Sequence, residues 1–525
     1  MTKYLINRIL RALLSVVIVI AVIMVMIYAF LDRESIFASD PAYQKQLLNN
    51  KTTYKMQQWE RYGYVDYIPF ADYLAEEVKA GNITEEQSKA AKLGATAEKD
   101  DEATKALVEA FYEKYDNKDG YKVERLAGNL KKGSQKNYKE GGKPALYAHR
   151  DVPLIQRLIT YFTSLIKIDN IHNAETVEGE RGISFTLFDP AYGGKKFSPA
   201  IMGNGTTYKY LLYCNDTFPY VHQNLIRINL GVSYSVNKGV DVFRTMTDAQ
   251  GPQKKSVITY PSGVVEETAD DIHTLMHIPN TKDAGVLNQR YYVDDYTSVG
   301  TAKSGLSQMG YSFSIGIISV ILAYLLAVPL GVLMALNKDK LIDKLGTFYI
   351  IFIMAVPSLG YIFIFRAIGS SFKLPTTFDV QNPTWLMYIL PVISLSLPSI
   401  ANLMKWLRRY MIDQMNSDYV KFARSGGMSE GQIFTKHVLK NAIIPIVHGI
   451  PGSVLGALTG AIITERVYLV PGIGNVLTDA INKYDNGVIV GVALFYALLS
   501  VASFILGDIL MAFMDPRISF TSKAR

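Results

Sequence analysis

The stretch that decides the fold is residues 418–445, which read DYVKFARSGGMSEGQIFTKHVLKNAIIP. Asp418 at its start and Gly426-Gly427 a few residues later are typical of a short helix with a favourable charge at its N-terminus and a glycine cap at its end. Ser429 and Gln432 have the spacing of a capping box, which predicts the start of a second helix. The stretch is therefore predicted to form two short helices joined by a glycine turn, either resting on lipid headgroups or docking a partner.

Long apolar runs lie on both sides of this stretch and elsewhere in the chain. A helix needs about 20 apolar residues to cross the hydrocarbon core of a membrane, and six runs meet this requirement. We therefore expect an α-helical membrane protein with six transmembrane helices. The first run is longer than the roughly 7–15 apolar residues of a signal peptide, so we interpret it as a retained anchor. The runs are residues 9–31, 309–336, 345–365, 385–404, 442–464 and 488–514.

Lysine and arginine are distributed unevenly among the segments outside these runs. Four segments on one side of the membrane hold sixteen basic residues, and the two short loops on the other side hold four. Because basic residues accumulate in cytoplasmic loops, we expect both termini in the cytoplasm of a multi-pass cell-membrane protein. The four basic segments are 1–11, 337–344, 405–440 and 515–525, and the two loops are 366–384 and 465–487.

Residues 32–305 differ in composition from the rest of the chain. They hold 70 charged side chains in 274 positions, whereas the other 251 positions hold 31. Helical periodicity over 71–118 and 151–168, followed by alternating β-branched and aromatic residues over about 183–300, predicts an α+β fold for this block. The predicted domains are 1–31 (N-terminus and first helix), 32–305 (an extracytoplasmic insertion) and 306–525 (a core with helices two to six and the loop 405–440).

Several motifs resemble those of one transporter family. Lys421-Phe422-Ala423 and Gly427 occupy the positions of the small-residue triplet and the glycine in the "EAA" coupling loop of ABC-importer permeases. Residues 437–445, HVLKNAIIP, resemble the His-x-Leu-Arg-Asn-Ala-x-x-Pro motif of the dipeptide and oligopeptide branch. Weaker matches are YLINRIL at 4–10, NLGVS at 229–233, VPLG at 328–331, Glu465 with PGIG at 471–474, and DPRI at 515–518.

Together these motifs cover residues 1–31 and about 225–525. The chain resembles the OppB/AmiC type of Gram-positive oligopeptide permease, which carries an enlarged outer insertion. It departs from the family pattern at Lys421, where the family has a glutamate, so that acid cannot anchor the loop here. The insertion from about 32 to 220 has no counterpart in shorter members, so the resemblance assigns it no role.

The resemblance implies a permease subunit that forms half of a translocation pathway for oligopeptides. It also implies a second homologous permease subunit, two cytoplasmic ATPase subunits that bind ATP and Mg²⁺, and an extracytoplasmic substrate-binding lipoprotein. The chain has no Gly-x-x-x-x-Gly-Lys-Ser/Thr phosphate loop, so we expect no ATPase site on it. We also expect no cofactor or metal on this chain, and no nucleic-acid partner, because a membrane explains its basic charge balance better. Four exposed side chains of the coupling loop, those of Tyr419, Lys421, Phe422 and Arg424, are expected to fill a cleft on the ATPase. The whole implied coupling set is Asp418, Tyr419, Lys421, Phe422, Ala423, Arg424 and Gly427.

Further candidates lie in the apolar runs, where the membrane lipids surround the helices. Gly452, Gly456 and Gly460 are four residues apart and share one helix face. Such a face either packs closely against another helix or borders a moving translocation interface. His448 and Asp508 are polar exceptions in these runs, and they either line the pathway or pair locally.

Two other classes of function remain as alternatives. A membrane-anchored extracytoplasmic peptide receptor or enzyme would place its activity in residues 32–305, but it would need only one or two helices. A secondary transporter or channel is expected to show paired halves or charges within its membrane helices. The sequence shows neither feature, so the permease remains the favoured hypothesis.

Overall fold

The structure, a computed structural model, describes the chain from residue 2 to residue 514 with gaps. The described residues are 2–38, 40–46, 48–97, 102–127, 143–168, 183–188, 195, 200–203, 209–214, 219–221, 226–247, 249–251, 253–254, 256–259, 265–268, 302–303 and 305–514.

Within these residues the chain is mainly helical in its membrane part and mixed elsewhere. The helices are α1 (Thr2–Phe30), α2 (Pro41–Gln44), α3 (Leu48–Arg61), α4 (Phe70–Lys79), α5 (Glu85–Ala97), α6 (Glu102–Tyr115), α7 (Leu154–Ser164), α8 (Val242–Thr247), α9 (Gln308–Leu336), α10 (Leu341–Ala355), α11 (Ser358–Ser371), α12 (Ile389–Met415), α13 (Asp418–Ser425), α14 (Glu430–Ile433), α15 (Lys440–His448), α16 (Ile450–Tyr468), α17 (Ile473–Asn482) and α18 (Asn486–Met514). Two 3₁₀ turns, Arg33–Phe37 and Trp385–Tyr388, and one π-helical segment, Phe434–Leu439, complete this set.

The strands belong to residues 32–305. They are β1 (Val65–Pro69), β2 (Lys122–Leu126), β3 (Ala145–Asp151), β4 (Ile166–Ile168), β5 (Ile183–Thr186), β6 (Ala200–Gly203), β7 (Lys209–Cys214), β8 (Pro219–Val221), β9 (Ile226–Ile228), β10 (Gln253–Lys254), β11 (Ser256–Thr259), β12 (Val265–Thr268) and β13 (Ala302–Lys303).

Four helices in the described part of the chain are long and apolar enough to cross a membrane. They are α1, α9, α12 with its preceding 3₁₀ turn, and α18. Two bent helix pairs raise the number to six if each pair forms one span. One pair is α10 with α11, and the other runs from α14 through α15 into α16, with a bend of 42°.

The third apolar run is not one continuous helix. α10 and α11 meet at an angle of 110°, and the residue between them, Val356, has an extended backbone. Pro357 follows it and immediately precedes α11. Proline disfavours a helical conformation in the residue before it, and here Val356 is extended, so α10 ends at Ala355. The third predicted transmembrane helix, 345–365, is therefore two helices that meet at a sharp bend, and the prediction of six spans requires each bent pair to count as one span.

The centre of the membrane part is built on α9 and α12. Small side chains on α9 allow a close approach, and a Cβ added at Gly331 would lie 3.2 Å from Leu407 on α12. Near its C-terminal end α12 is fixed to the start of α10, because Arg408 makes two hydrogen bonds of 2.5 and 2.6 Å to the buried carboxylate of Asp343. The Arg408 side chain is still 27% exposed, so solvent screens the pair and removing one partner costs less than the roughly 3–5 kcal/mol of a fully buried pair. The end of α12 that leads into α13 therefore has a firm support.

Residues 32–305 contain both helices and strands, as the α+β prediction requires. Strands β1, β3 and β2 form an antiparallel sheet in that order. Helices α4 and α6 bury Phe70, Leu74 and Phe111 in a shared cluster with the sheet. α5 begins at a reciprocal pair of hydrogen bonds between Thr84 and Gln87, which is a capping box.

A buried carboxylate joins this outer block to the last membrane helix. Asp485, which is fully buried, accepts hydrogen bonds of 2.8–2.9 Å from the backbone N–H groups of residues 234–236. It also accepts one of 2.7 Å from the Ser233 hydroxyl. Two residues later there is no room for a side chain, since a Cβ at Gly487 would overlap the carbonyl oxygen of Val232. The NLGVS segment is thus fastened to the start of α18.

The PGIG segment is held by a second buried acid. Glu465 accepts a 2.6 Å hydrogen bond from the Ser312 hydroxyl, which in turn accepts one of 2.9 Å from the Ile473 N–H. A Cβ at Gly472 would overlap the Glu465 carboxylate. The glycine is needed because the acid occupies the space beside it, and the start of α17 is thereby tied to α9.

Candidate functional site

Gly427 lies at the turn between α13 and α14. Its φ is +80°, in the left-handed region that strains any residue with a Cβ. The N–H groups of Gly427 and Met428 donate to the carbonyls of Arg424 and Ala423 at 3.1 and 3.2 Å, which closes the end of α13. We call α13, this turn and α14, residues 418–433, the Gly427 hairpin.

Two sets of side-chain contacts hold the hairpin closed. Ser429 and Gln432 form the predicted capping box at the start of α14. Across the turn, the guanidinium of Arg424 donates two hydrogen bonds, of 2.6 and 3.0 Å, to the carboxylate of Glu430. A bidentate pair fixes the relative orientation of the two groups as well as their distance. The two short helices are therefore held as one unit.

The outer face of α13 presents an aromatic ring beside a fixed pair of charges. Lys421, which replaces the family's glutamate, donates a 2.9 Å hydrogen bond to Asp418. This bond lowers the pKa of the Asp418 carboxyl below its usual range. The next residue, Phe422, leaves 80% of its surface exposed. Aromatic residues are enriched at protein–protein interfaces, so this ring is a candidate contact for a partner protein.

The sequence predicted an exposed Tyr419 side chain available to the ATPase, but in the structure its hydroxyl is hydrogen-bonded within the chain. Its hydroxyl donates a 2.5 Å hydrogen bond to the side-chain oxygen of Gln414 and accepts one of 3.1 Å from the Asn441 side chain. Gln414 belongs to α12 and Asn441 to α15. Tyr419 therefore connects the helix before the hairpin with the helix that follows it.

The inner face of the hairpin is packed into the membrane part. Val420 is 1% exposed and belongs to a buried cluster with Leu407 and Met411 of α12 and Ile433 of α14. Ala423 is partly buried against the same cluster. Beyond α14 the chain passes through the π-helical segment into α15, and π-helical turns are frequent at functional positions. A displacement of the hairpin therefore changes its packing against α12 and its connection to α15.

A cavity of about 710 Å³ adjoins these helices. It is bordered by α9, α11, α12, α15 and α16, and its α12 wall runs from Ser394 to Tyr410. That distance is about 24 Å along a helix, most of the ~30 Å thickness of a hydrocarbon core. Within the described part of the chain, every lining side chain is uncharged. The cavity can therefore hold a polar molecule without preferring one sign of charge.

Two of the three aligned glycines border this cavity. A Cβ added at Gly452 or Gly456 would meet no atom within 4 Å. These two residues therefore do not pack against a neighbouring helix of the same chain. Gly460 lies farther along α16, and its surroundings fall outside the described residues.

His448 and Asp508 pair locally. The Nδ1 atom of His448 lies 2.8 Å from the carbonyl oxygen of Gly507, and the Asp508 carboxylate lies 2.6 Å from the guanidinium of Arg8. Neither residue belongs to the cavity wall. Arg8 is on α1, so the ion pair joins the first membrane helix to the last.

Comparison with known proteins shows which family has a sequence similar to this chain. Residues 327–520 match the family described as "Binding-protein-dependent transport system inner membrane component". Over 529 aligned positions the chain is 34% identical to the oligopeptide transport system permease protein AmiC of Streptococcus pneumoniae, and the match covers 100% of this chain and 99% of AmiC. The chain belongs to this family of ABC-importer permeases. The resemblance inferred from the sequence motifs is thereby confirmed.

This permease is also similar to shorter proteins. It is 30% identical over 226 residues to the dipeptide transport system permease protein DppB of Lactococcus lactis, a match that covers 42% of this chain and 73% of DppB. The match with AmiC, by contrast, includes residues 32–305. Among solved structures, a chain of an amino acid ABC transporter is 16% identical, covers 40% of this permease and 92% of its own length, and has a TM-score of 0.32, which is too low for a detailed comparison.

Family membership defines the class of molecule. This permease is a multi-pass membrane protein and a transporter subunit, which is not itself an enzyme. Among the described residues, no group of three or more His, Cys, Asp and Glu side chains is placed to hold a metal ion.

Proposed function

We propose that this permease forms one half of the translocation pathway of an ATP-driven oligopeptide importer. The observation that carries the proposal is the identity with AmiC along the full length of both chains, including the outer block. The uncharged cavity supports it. A peptide has a polar main chain and a net charge that varies with its sequence, so a neutral, partly polar wall suits it better than a charged one.

The second half of the pathway is a homologous permease subunit. The glycine face at Gly452 and Gly456 borders the cavity and is left uncovered by the helices of this chain. A second subunit with a similar groove, placed opposite, encloses a passage between the two. Small residues at such a boundary allow the subunits to approach closely and to slide.

The Gly427 hairpin is the coupling element in this proposal. It faces the cytoplasm and receives one of two ATPase subunits, which bind and hydrolyse ATP with Mg²⁺. Phe422 enters a cleft on the ATPase, while the residues implied by the family motif, from Asp418 to Gly427, keep the helix rigid. Two sites influence each other only if a conformational change alters the contacts at both. The packing of Val420 against α12 and α14 supplies such contacts.

Residues 32–305 lie outside the cell, where a substrate-binding lipoprotein delivers the peptide. This orientation follows from the basic residues, which are concentrated in the segments placed in the cytoplasm. The fastening of residues 233–236 to Asp485 places the outer block directly over the start of α18. It is thus well placed to meet a receptor at the mouth of the pathway.

The proposal is tested by deleting the gene and measuring uptake of a radiolabelled pentapeptide by whole cells. Uptake must fall to background and return when the gene is supplied in trans. Purification of the tagged permease in mild detergent is expected to bring with it a second permease and two ATPases. Normal uptake in the deletion strain, or a permease that purifies without an ATPase, would contradict the proposal.

A further inference from the structure

An asparagine lies in the middle of α12 without a hydrogen-bond partner. Asn402 is exposed, and within the described residues its amide makes no hydrogen bond to the rest of the chain. Its neighbours on the opposite face, Ala401 and Met404, are 0% and 3% exposed in the core between α9 and α12. The burial of these two residues fixes the rotation of α12 about its axis, so that Asn402 faces away from the core.

The surface to which Asn402 is presented is the cavity. Ser399, three residues earlier and on the same face, also lines it, as do Trp406 and the two glycines on α16. A Cβ added at Gly452 or Gly456 would meet no atom within 4 Å, so the α16 side of the cavity is open. Asn402 therefore borders a volume large enough for a solute rather than a packed contact within the chain.

The Asn402 amide is open to whatever fills the cavity, and water satisfies it when no solute is there. A solute that displaces this water must supply hydrogen bonds of its own, because an amide left without a partner in an apolar environment costs roughly 2–7 kcal/mol. Asn402 offers two N–H donors and one carbonyl acceptor, which complement the carbonyl acceptor and the single N–H donor of a peptide bond. It carries no charge, so it does not distinguish acidic from basic side chains.

We infer that Asn402, with Ser399 one turn before it, hydrogen-bonds the main chain of the peptide in transit. This inference rests on the proposed function. It places an uncharged contact in a wall that is uncharged throughout the described residues, so the contact does not select peptides by the sign of their side chains.

The test uses the complete importer, with its second permease, ATPases and receptor, reconstituted in proteoliposomes. ATP-dependent uptake is measured for two peptides of equal length, Ala-Glu-Ala-Glu-Ala and Ala-Lys-Ala-Lys-Ala. The receptor is the same in every vesicle, so its own preference cancels when the ratio of the two rates is compared between variants. Asn402→Asp places a negative charge at the inferred contact. Asn482→Asp makes the same chemical change at the exposed end of α17, outside the cavity, and serves as the control.

We expect Asn402→Asp to lower the ratio of acidic to basic peptide uptake at least fivefold (on the order of 1 kcal/mol of discrimination), and Asn482→Asp to leave it unchanged. Asn402→Leu is expected to slow both peptides equally, and Asn402→Gln to restore most of the rate. If Asn402→Asp leaves the ratio of acidic to basic peptide uptake unchanged, the inference is overturned, whether or not both rates fall. The amide would then contact the second permease instead of the peptide. If the wild-type complex imports neither peptide in the presence of ATP, the proposed function itself is contradicted. This result is obtained with the wild type alone, so it is distinguishable from a failure of the inference about Asn402.

Discussion

The side-chain amide of Asn441 donates a 3.1 Å hydrogen bond to the hydroxyl of Tyr419. The two residues are 22 positions apart and belong to different helices, α15 and α13. The same hydroxyl donates to Gln414 at the end of α12. One oxygen atom therefore joins the helix before the hairpin, the hairpin itself and the helix after it. In the proposed function, this is the route by which a movement of the hairpin reaches two helices that border the cavity.

Tyr419→Phe removes this oxygen and keeps the ring. We expect the variant to reach the membrane and bind the ATPases normally, because Phe422 and the charged pairs are untouched. Its uptake is expected to fall several-fold while ATP hydrolysis by the complex continues, since ATPase movement is no longer passed on fully. The ratio of peptides imported to ATP hydrolysed measures this directly. A variant whose ratio equals that of the wild type would remove Tyr419 from the coupling route.

Gly427→Leu tests the turn. At φ +80° a leucine is strained by about 1–3 kcal/mol, so the turn opens or α13 shifts. We expect uptake to be lost while the amount of protein in the membrane is unchanged. Gly427→Asn is the milder variant, because asparagine tolerates this conformation, and it should retain most activity. Gly431→Leu is the matched control, as Gly431 has equal space around it and no positive φ. Parallel loss of stability and uptake in Gly427→Leu would identify the glycine as a plain helix cap.

The Arg424 and Glu430 pair is tested by reversal. Arg424→Glu alone places two carboxylates together across the turn and should open the hairpin, with reduced uptake. The double variant Arg424→Glu with Glu430→Arg restores the pair in the opposite sense and is expected to recover part of the uptake. Both side chains are more than half exposed, so neither single variant should unfold the protein. If the double variant is as inactive as the single one, Arg424 contacts the ATPase instead.

Local signals were sufficient to predict the hairpin from the sequence. The capping box at Ser429 and the glycine turn depend on residues within four positions of each other, and such short-range patterns are visible in a single sequence. The break at Val356 had a signal too, in Pro357, but averaging hydropathy over about 20 residues hides it. Asn402 was missed for the same reason, because one amide barely changes the mean of an apolar run.

The ion pairs and hydrogen bonds between residues far apart in the sequence could not be predicted from any local pattern. Arg408 and Asp343 are 65 positions apart, and Asp485 is 251 positions from Tyr234. Each of these residues looks like an ordinary charged side chain in its local context. Only the fold brings the partners together, and one sequence without relatives carries no information on which residues pair. The identity of the family, by contrast, could be inferred because its motifs are local and occur in a fixed order.

Asp485→Asn tests the attachment of the outer block. The carboxylate accepts hydrogen bonds from four groups in residues 233–236, and an amide nitrogen in its place would face N–H donors. A buried group left unsatisfied costs about 1–3 kcal/mol, so the thermal stability of the detergent-solubilised protein should fall clearly. Asp479→Asn, in the neighbouring helix α17, is the control, since Asp479 forms an exposed pair with Arg466 that contributes little. Equal stability of the two variants would show that the attachment does not depend on Asp485.

Asp40 is expected to make the stability of the outer block depend on pH. Its carboxylate accepts hydrogen bonds from Tyr54 and Lys238, which also contact each other. Burial raises the pKa of Asp40, but these hydrogen bonds, with one from the Ala42 N–H, outweigh it and lower the pKa below its usual value. Because the pKa of Asp40 is lower in the folded state, the ionised carboxylate stabilises the fold fully at pH values above the unfolded pKa of about 3.9. This stabilisation is lost as the pH falls through the lower, folded-state pKa. The difference in unfolding temperature between the wild type and Asp40→Asn is therefore expected to be largest near pH 7 and to shrink towards pH 3. A difference that stays constant across this range would mean that the ionisation of Asp40 does not stabilise the fold.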